Sequence, residues 1–458
     1  AVCIGIMSFM IVDVILKRPE HLISAVGIIL IILIMFITSH DPAAIKWKTI
    51  FSGLLLQFIF ALMILRTSWG YEAFKWLAAR ITDYLSFTYE GAKFVYGENF
   101  GEHFFAFGVM SIIIFFSATI SVLYYLGWMQ IFIEKIVWII MNGMGTGAME
   151  SLHAAVNIFV GWGEALMIVQ PLLHKMTTAE IHAVMTNGFS TVAGSTLGVY
   201  ISYGAPANHL ISASFLSAPA ALVITKLTFP DRLDDRIEKK KIPKIPRTGG
   251  GIMDAASSGA VAALMIIGHI IVNVIALVSL LEFINAVLLW FGERIGLGPP
   301  DYAPLTFQLL CSYVFWPLVY ILGVPASDCK IVARMVGVKV FVNEFIAYKD
   351  LGNVVRNRLA LQNYNETRIS KRSEMIATYA ICGFSDFVAL GIMVAALTSI
   401  DPSRKNEILK CGPRALVSGI MACFMTACMA GKTFIKVMWT RCVTFVSFFS
   451  KHMLKSTP

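Results

Sequence analysis

An all-α polytopic membrane protein with interrupted helices is what this sequence predicts, on three observations. Of its 458 residues, 57% are hydrophobic and 14% charged, with a mean hydropathy of +0.73, far more apolar than an average soluble domain. Apolar runs close to the ~20 residues that cross a bilayer recur along the chain. Two of these runs, Asn187 to Leu222 and Ala377 to Gly391, are rich in small and hydroxyl-bearing residues and share a short pattern, Asn187-Gly188-Phe189-Ser190 and Cys382-Gly383-Phe384-Ser385. Glycine loosens a helix, and a loosened backbone at membrane depth is tolerated only where protein or a water-filled cavity satisfies the freed polar groups. Each copy follows an apolar segment with an acid inside it, residues 157–164 (NIFVGWGE) and 342–345 (VNEF). Paired, interrupted segments in corresponding halves point to a transporter's midplane site.

The elements follow in order. Ala1 to Leu16, Leu22 to Thr38, Thr49 to Leu65 and Phe104 to Leu126 read as spans. Between the last two, Phe74, Leu77, Ala78, Ile81 and Leu85 share one helical face, as in a helix lying along the interface. Gly143 to Pro171, broken by Asn157, Gly161, Gly163 and Glu164, reads as a re-entrant hairpin, and Ile181 to Tyr203 and His209 to Thr225 as spans. Lys226 to Gly251 is the one clear linker, and its lysines and arginines put it in the cytoplasm. Ala255 to Trp290 is expected to be a surface helix leading into a span from about His269, followed by a span from Ala303 to Val324. Ile331 to Tyr348, with Asn343 and Glu344, reads as a second hairpin, and Met375 to Leu397 and Pro413 to Ala430 as the last spans. The chain thus divides into stretches 1–66, 67–142, 143–225, 226–251, 252–324, 325–398 and 399–458.

The net charge of +9 sits in loops between apolar runs, so it follows membrane topology and gives no sign of nucleic-acid binding. The eight cysteines form no C-x-x-C pair and read as small buried hydrophobes. The chain begins at Ala1 inside an apolar run, which reads as a trimmed start without a signal peptide.

A carboxylate at the centre of a membrane helix costs ~2.5 to 3.5 kcal/mol even on the lenient insertion scale. Glu164, Glu344 and Asp386 are placed to bear that cost. Any one of them could lock two helices together, but three acids on two hairpins and a broken helix point to a polar site. Such a site accepts hydrogen bonds from hydroxyls and ring N–H groups, while hydroxyl and backbone oxygens at a helix break suit an alkali cation. Glu282 and His269 read as helix-contact residues.

From about Leu22 to Gly431 the chain resembles the concentrative nucleoside transporters, through ESLHAAVNIFVGWGEA, AVMTNGFSTVAGSTLGVYISYGAPANHLISASFLSAPAAL, LTFQLLCSYVF, VNEFIAY and SEMIATYAICGFSDF followed by GIMVAAL. The resemblance implies a homotrimer in the cell membrane, each protomer carrying an inverted-repeat transport domain with two opposed re-entrant hairpins and two broken helices. It implies symport of nucleosides with sodium, or with protons in some members, by an elevator-like alternating access, and no enzymatic activity. It makes Asn157, the Val160 carbonyl, Thr191 and the Val192 carbonyl the sodium ligands.

On the substrate side the resemblance assigns Gly161, Trp162, Gly163, Glu164, Ser195 and Thr196 to the base, and Glu344, Phe384, Asp386 and Ala389 to the ribose. Four of these depart from the family's pattern. Trp162 and Gly163 stand where it has Gln or Met and then Thr, Asp386 where it has Asn, and Ala389 where it usually has Ser; Leu166 replaces a usual Pro nearby. A non-transporting nucleoside-binding or scaffold paralogue whose pocket is plugged by Trp162 is therefore the alternative. The opposed hairpins also put the loop from Lys349 to Arg372 outside the cell, where Asn365-Glu366-Thr367 is the one glycosylation sequon.

Overall fold

The computed structural model describes residues 22–192, 194–231, 250–297, 303–359 and 369–431, and every element in them is helical. The first expected span, most of the basic linker and Asn365 lie outside the described residues. Helices α1 (Leu22–Ile37) and α2 (Trp47–Arg66) match the expected spans, and both pack on α11 (Ala207–Thr228). The amphipathic helix is α3 (Ser68–Ser86). Thr67 Oγ1 caps it by accepting from Gly70 N at 3.0 Å; Ala78 and Leu85 are buried, while Arg80 and Asp83 pair at 2.9 Å in the open. Helix α4 (Thr88–Tyr96) and a π-helical turn (Phe104–Val109) lead into α5 (Met110–Leu126).

From α5 onward the chain runs one series twice. A long helix comes first, α5 and later α12 (Ile252–Arg294), then a connector, α6 (Trp128–Met144) and later α13–α14 (Phe307–Val314, Trp316–Ile321). A split hairpin follows, α7–α8 (Ala148–Asn157, Trp162–Val169) and later α15–α16 (Ala326–Phe341, Glu344–Leu359). Next is a broken helix, α9–α10 (Thr178–Ser190, Gly194–Ser202) and later α17–α18 (Lys371–Ala380, Phe387–Ile400), and each series ends in a long helix, α11 and α19 (Lys405–Ala430). Packing repeats with the order: α6 lies on α7 as α13 lies on α15, and α9 on α11 as α17 on α19. The halves interlock through α9 with α19 and α11 with α17, and the two long helices α5 and α12 pack together. Among the described residues, five helical segments are long and apolar enough to cross a bilayer, those of α2, α5, α11, α12 and α19, with α1 and α18 shorter.

Several expectations need correction. Ala255 to Trp290 lies within one unbroken helix of 43 residues, α12, rather than forming a surface helix and a span. Its small residues Ala255, Gly259 and Ala263 recur every fourth position and are buried, and Ser117 and Ser121 of α5 fill the space beside Gly259. Close helix contact, not a surface location, is what selects small residues there. Ala303 to Val324 is not one span but two short helices, parted at Phe315 just before Pro317, and Thr306 Oγ1 caps the first by accepting from Leu309 N at 3.2 Å. The stretches Ile181 to Tyr203 and Met375 to Leu397, read as spans, are each split in two, in keeping with the interruption that their shared pattern predicts. The linker does not begin at Lys226: α11 continues to Thr228, because Lys226 is buried in an ion pair with Glu150 and another with Asp231 at 2.7 Å. Helix α6 went unread, although Met129, Ile133, Val137, Ile140 and Met144 form a buried stripe at helical spacing.

Candidate functional site

The two helix breaks meet. Gly383, between α17 and α18, holds φ +93°, and a Cβ there would lie 2.6 Å from the Phe189 carbonyl oxygen and 2.8 Å from the Ser190 carbonyl carbon. Only glycine permits that approach and that backbone angle. Cys423 Sγ of α19 donates to the Cys382 carbonyl at 2.7 Å and the Ser190 carbonyl at 3.6 Å, tying both breaks to one helix. The hairpin crests lean on the same crossing. A side chain at position 194 would run into the Phe159 carbonyl of the first crest, and Tyr200 of α10 donates its hydroxyl to Glu344 Oε1 at 3.3 Å.

On the first-half side, the residues expected to hold a cation are all buried: Asn157, Val160, Thr191 and Val192. Asn157 closes α7; its Nδ2 donates to His153 Nδ1 at 3.0 Å, and its Oδ1 has no hydrogen-bond partner among the described residues. Asn187 repeats the arrangement, with Nδ2 donating to the Ala183 carbonyl at 2.8 Å and Oδ1 left over. Thr191 Oγ1 donates to the Asn187 carbonyl at 2.8 Å, which leaves its lone pairs available. A buried acceptor without a donor costs ~1–3 kcal/mol, so this set of hard oxygens fits an alkali cation. Among the described residues no group of three His, Cys, Asp or Glu side chains comes together to hold a metal ion.

Beside the crossing lies a cavity of about 450 Å³, within the roughly 300–1,000 Å³ of small-molecule sites. The first hairpin contributes Gly161, Trp162, Gly163 and Leu166, and α10 contributes Thr196. The second hairpin contributes Asn343, Glu344 and Phe345, and the second break with α18 contributes Phe384, Asp386, Val388, Ala389 and Ile392. The cavity therefore gathers every residue expected to touch substrate except Glu164 and Ser195, of which only the backbone is described. Trp162 packs its Cβ on α9, where a Cβ at Gly188 would come within 3.1 Å of it. Asp386 is the N-cap of α18: its Oδ1 accepts from Val388 N at 2.9 Å and Ala389 N at 2.8 Å, and its carboxyl interacts with that of Glu344.

Three features escaped the sequence reading. One stripe of α12, including Met265, His269, Asn273 and Leu277, forms the far wall, so His269 faces the cavity and is more than a helix-contact residue. Tyr200 holds Glu344. Lys339 of α15 is fully buried, donates to Ser385 Oγ and exerts its charge on both Glu344 and Asp386. A lysine two residues short of a hairpin crest, in an otherwise apolar run, was the available signal.

The family models described as Na+ dependent nucleoside transporter N-terminus, nucleoside recognition, and Na+ dependent nucleoside transporter C-terminus match residues 26–99, 106–207 and 209–431. Sodium/nucleoside cotransporter 2 of Rattus norvegicus is 43% identical over 453 residues, covering 98% of this chain and 68% of the relative. Solute carrier family 28 member 3 of Homo sapiens is 44% identical over 417 residues, covering 90% of this chain and 60% of the relative. Across these two the chain spans 60% to 68% of the relative's length. CNTnw in an inward-facing substrate-bound state superposes with a TM-score of 0.81 at 31% identity, over 90% of this chain and 97% of that one. A doubly substituted CNTnw in an outward-facing state gives 0.83 at 30% identity, over 91% and 98%. The twofold helix series, the crossed breaks and these matches along nearly the whole length agree: the chain belongs to the sodium-dependent, concentrative nucleoside transporter family.

Proposed function

We propose that this chain imports nucleosides by sodium symport, with the cation held in the first half and the nucleoside in the cavity next to it. As a family member it is a secondary active transporter of the membrane that works by alternating access, and it is not an enzyme. The observation that carries the site assignment is the pairing of two unpartnered buried oxygens, Asn157 Oδ1 at the first crest and Asn187 Oδ1 in the last turn of α9, with an adjoining cavity of about 450 Å³. Sodium bound by Asn157, Thr191 and the Val160 and Val192 carbonyls would fix the angle between the first crest and the α9–α10 break. That angle sets where Trp162, Gly163, Glu164 and Thr196 meet a base, with Gly161 and Ser195 beside them. Glu344, Phe384, Asp386 and Ala389 face the ribose. At 100 mV each sodium contributes ~2.3 kcal/mol, roughly a forty-fold gradient at 1.4 kcal/mol per decade.

We assign a homotrimer in the plasma membrane on the family resemblance. Proton coupling is the competing arrangement and would run through Asp386, but Oδ1 of that side chain is already engaged by two backbone N–H groups, and the carboxyl has Lys339 as a buried neighbour. Uptake of labelled uridine, adenosine and inosine in sodium and in choline buffer tests the reading. Absence of sodium-dependent uptake, together with thermal stabilisation by nucleoside, would favour a binding paralogue with Trp162 as the plug. Uptake against external pH decides the proton: affinity that falls as pH rises in the wild type, with the dependence flattened in Asp386→Asn, would establish it, and identical profiles exclude it.

A further inference from the structure

The two hairpins present opposite chemistry to the helix breaks they touch. In the first, the last turn of α7 brings Asn157 to the α9–α10 break, and the buried oxygens Asn157 Oδ1 and Asn187 Oδ1 have no partner among the described residues. In the second, the last turn of α15 brings Lys339 to the α17–α18 break, where its ammonium donates to Ser385 Oγ. Ser385 holds the place in Cys382-Gly383-Phe384-Ser385 that Ser190 holds in Asn187-Gly188-Phe189-Ser190. Lys339 is 1% exposed, and Glu344 and Asp386 are its acidic neighbours. An ammonium so deeply buried is tolerated only beside opposite charge. One half therefore has acceptors waiting for a cation, and the other has a cation covalently attached.

We propose that Lys339 is a resident cation: its ammonium fills the second-half counterpart of the sodium site, balances Glu344 and Asp386, and limits the protein to one exchangeable sodium per cycle. The inference rests on the sodium-coupled reading above. A tethered ammonium cannot be released to either side, so the second half contributes a fixed charge to every conformation, while the first half's charge comes and goes with sodium. It also keeps the acids that face the ribose from capturing a free ion in place of substrate.

The test is uridine uptake by the full chain in sealed vesicles, read as a function of sodium together with the charge moved per uridine. The wild type is expected to show a Hill coefficient of about one and about one charge per uridine. Lys339→Met should open the second place to sodium and raise both values to about two, while Lys339→Arg keeps both at about one. Sodium-dependent uptake by Lys339→Met with both values unchanged overturns the proposal, as does a wild type that already shows two. If Lys339→Met does not reach the membrane, Lys339→Met combined with Asp386→Asn removes cation and acid together. Recovery of surface level then supports the resident charge, and a double variant that reaches the membrane as poorly as the single overturns it. A wild type without any sodium-dependent uptake refutes the coupling itself, a distinguishable result.

Discussion

The half running from α7 to α11 and the half running from α15 to α19 share an order of elements and a packing scheme, and each contains a buried lysine. The lysines serve different ends. Lys226, in the last turn of α11, is clasped by Glu150 and Asp231 away from the cavity, so its charge is neutralised within the scaffold of its own half. Lys339 reaches the helix break and acts on the two acids that line the cavity. A repeated backbone therefore does not imply a repeated charge pattern. The first half keeps its polar centre empty of positive charge and confines its lysine to the periphery, whereas the second half does the reverse.

The comparison can be broken by substitution, most severely at the first crest. Asn157→Ala combined with Thr191→Ala removes two oxygens from the proposed cation site, and uridine uptake is expected to fall to the level seen in choline; retained sodium dependence would move the cation elsewhere. Next, Lys226→Met leaves Glu150 buried beside a missing partner and is expected to cost about 3–5 kcal/mol of stability, read as a lower thermal unfolding midpoint in detergent, while the Hill coefficient for sodium stays unchanged. A changed Hill coefficient would erase the distinction between the two lysines. Glu344→Gln removes a charged hydrogen-bond acceptor worth ~1.5–3 kcal/mol, so the KM for uridine should rise roughly 10- to 150-fold with the sodium dependence intact. The smallest effect is expected from Trp162→Gln with Gly163→Thr. Aromatic stacking worth ~0.5–1.5 kcal/mol predicts a shift of roughly two- to tenfold from purine toward pyrimidine uptake, and an unchanged preference would reduce the pair to packing.

The interruptions were legible in the sequence because glycine at membrane depth has few uses: the pattern Asn187 to Ser190 ends where the first break begins, Gly383 lies in the second, and Asn157 through Glu164 marked the first crest. The polar residues of the cavity were legible for a related reason, since an acid such as Glu344 in an apolar run needs a site to justify its cost. What could not be read was whatever depends on which helix faces which. The stripe of α12 from Ala262 to Leu277 looks like any lipid-facing surface until the cavity is seen against it, and Ala255, Gly259 and Ala263 look like a loose surface helix until α5 is packed on them. Lys339 was missed because a lone lysine near a hairpin end resembles a membrane-boundary charge. Only the fold folds it inward onto Ser385.

Helix α12 carries a further consequence. Its 43 residues make a rod about 65 Å long at 1.5 Å per residue, and its apolar stretch from Val261 to Phe291 is about 46 Å of that. A straight rod fits such a stretch into a hydrocarbon layer of ~30 Å by tilt alone when it leans by roughly 50°. A neighbour that slides along a rod leaning so far travels sideways at least as far as it travels through the membrane, so the surrounding lipid must make room laterally on every cycle. Turnover should therefore respond to bilayer thickness and acyl-chain order, faster in thin, fluid membranes and slower in thick, sterol-rich ones, independently of any residue that touches nucleoside or sodium.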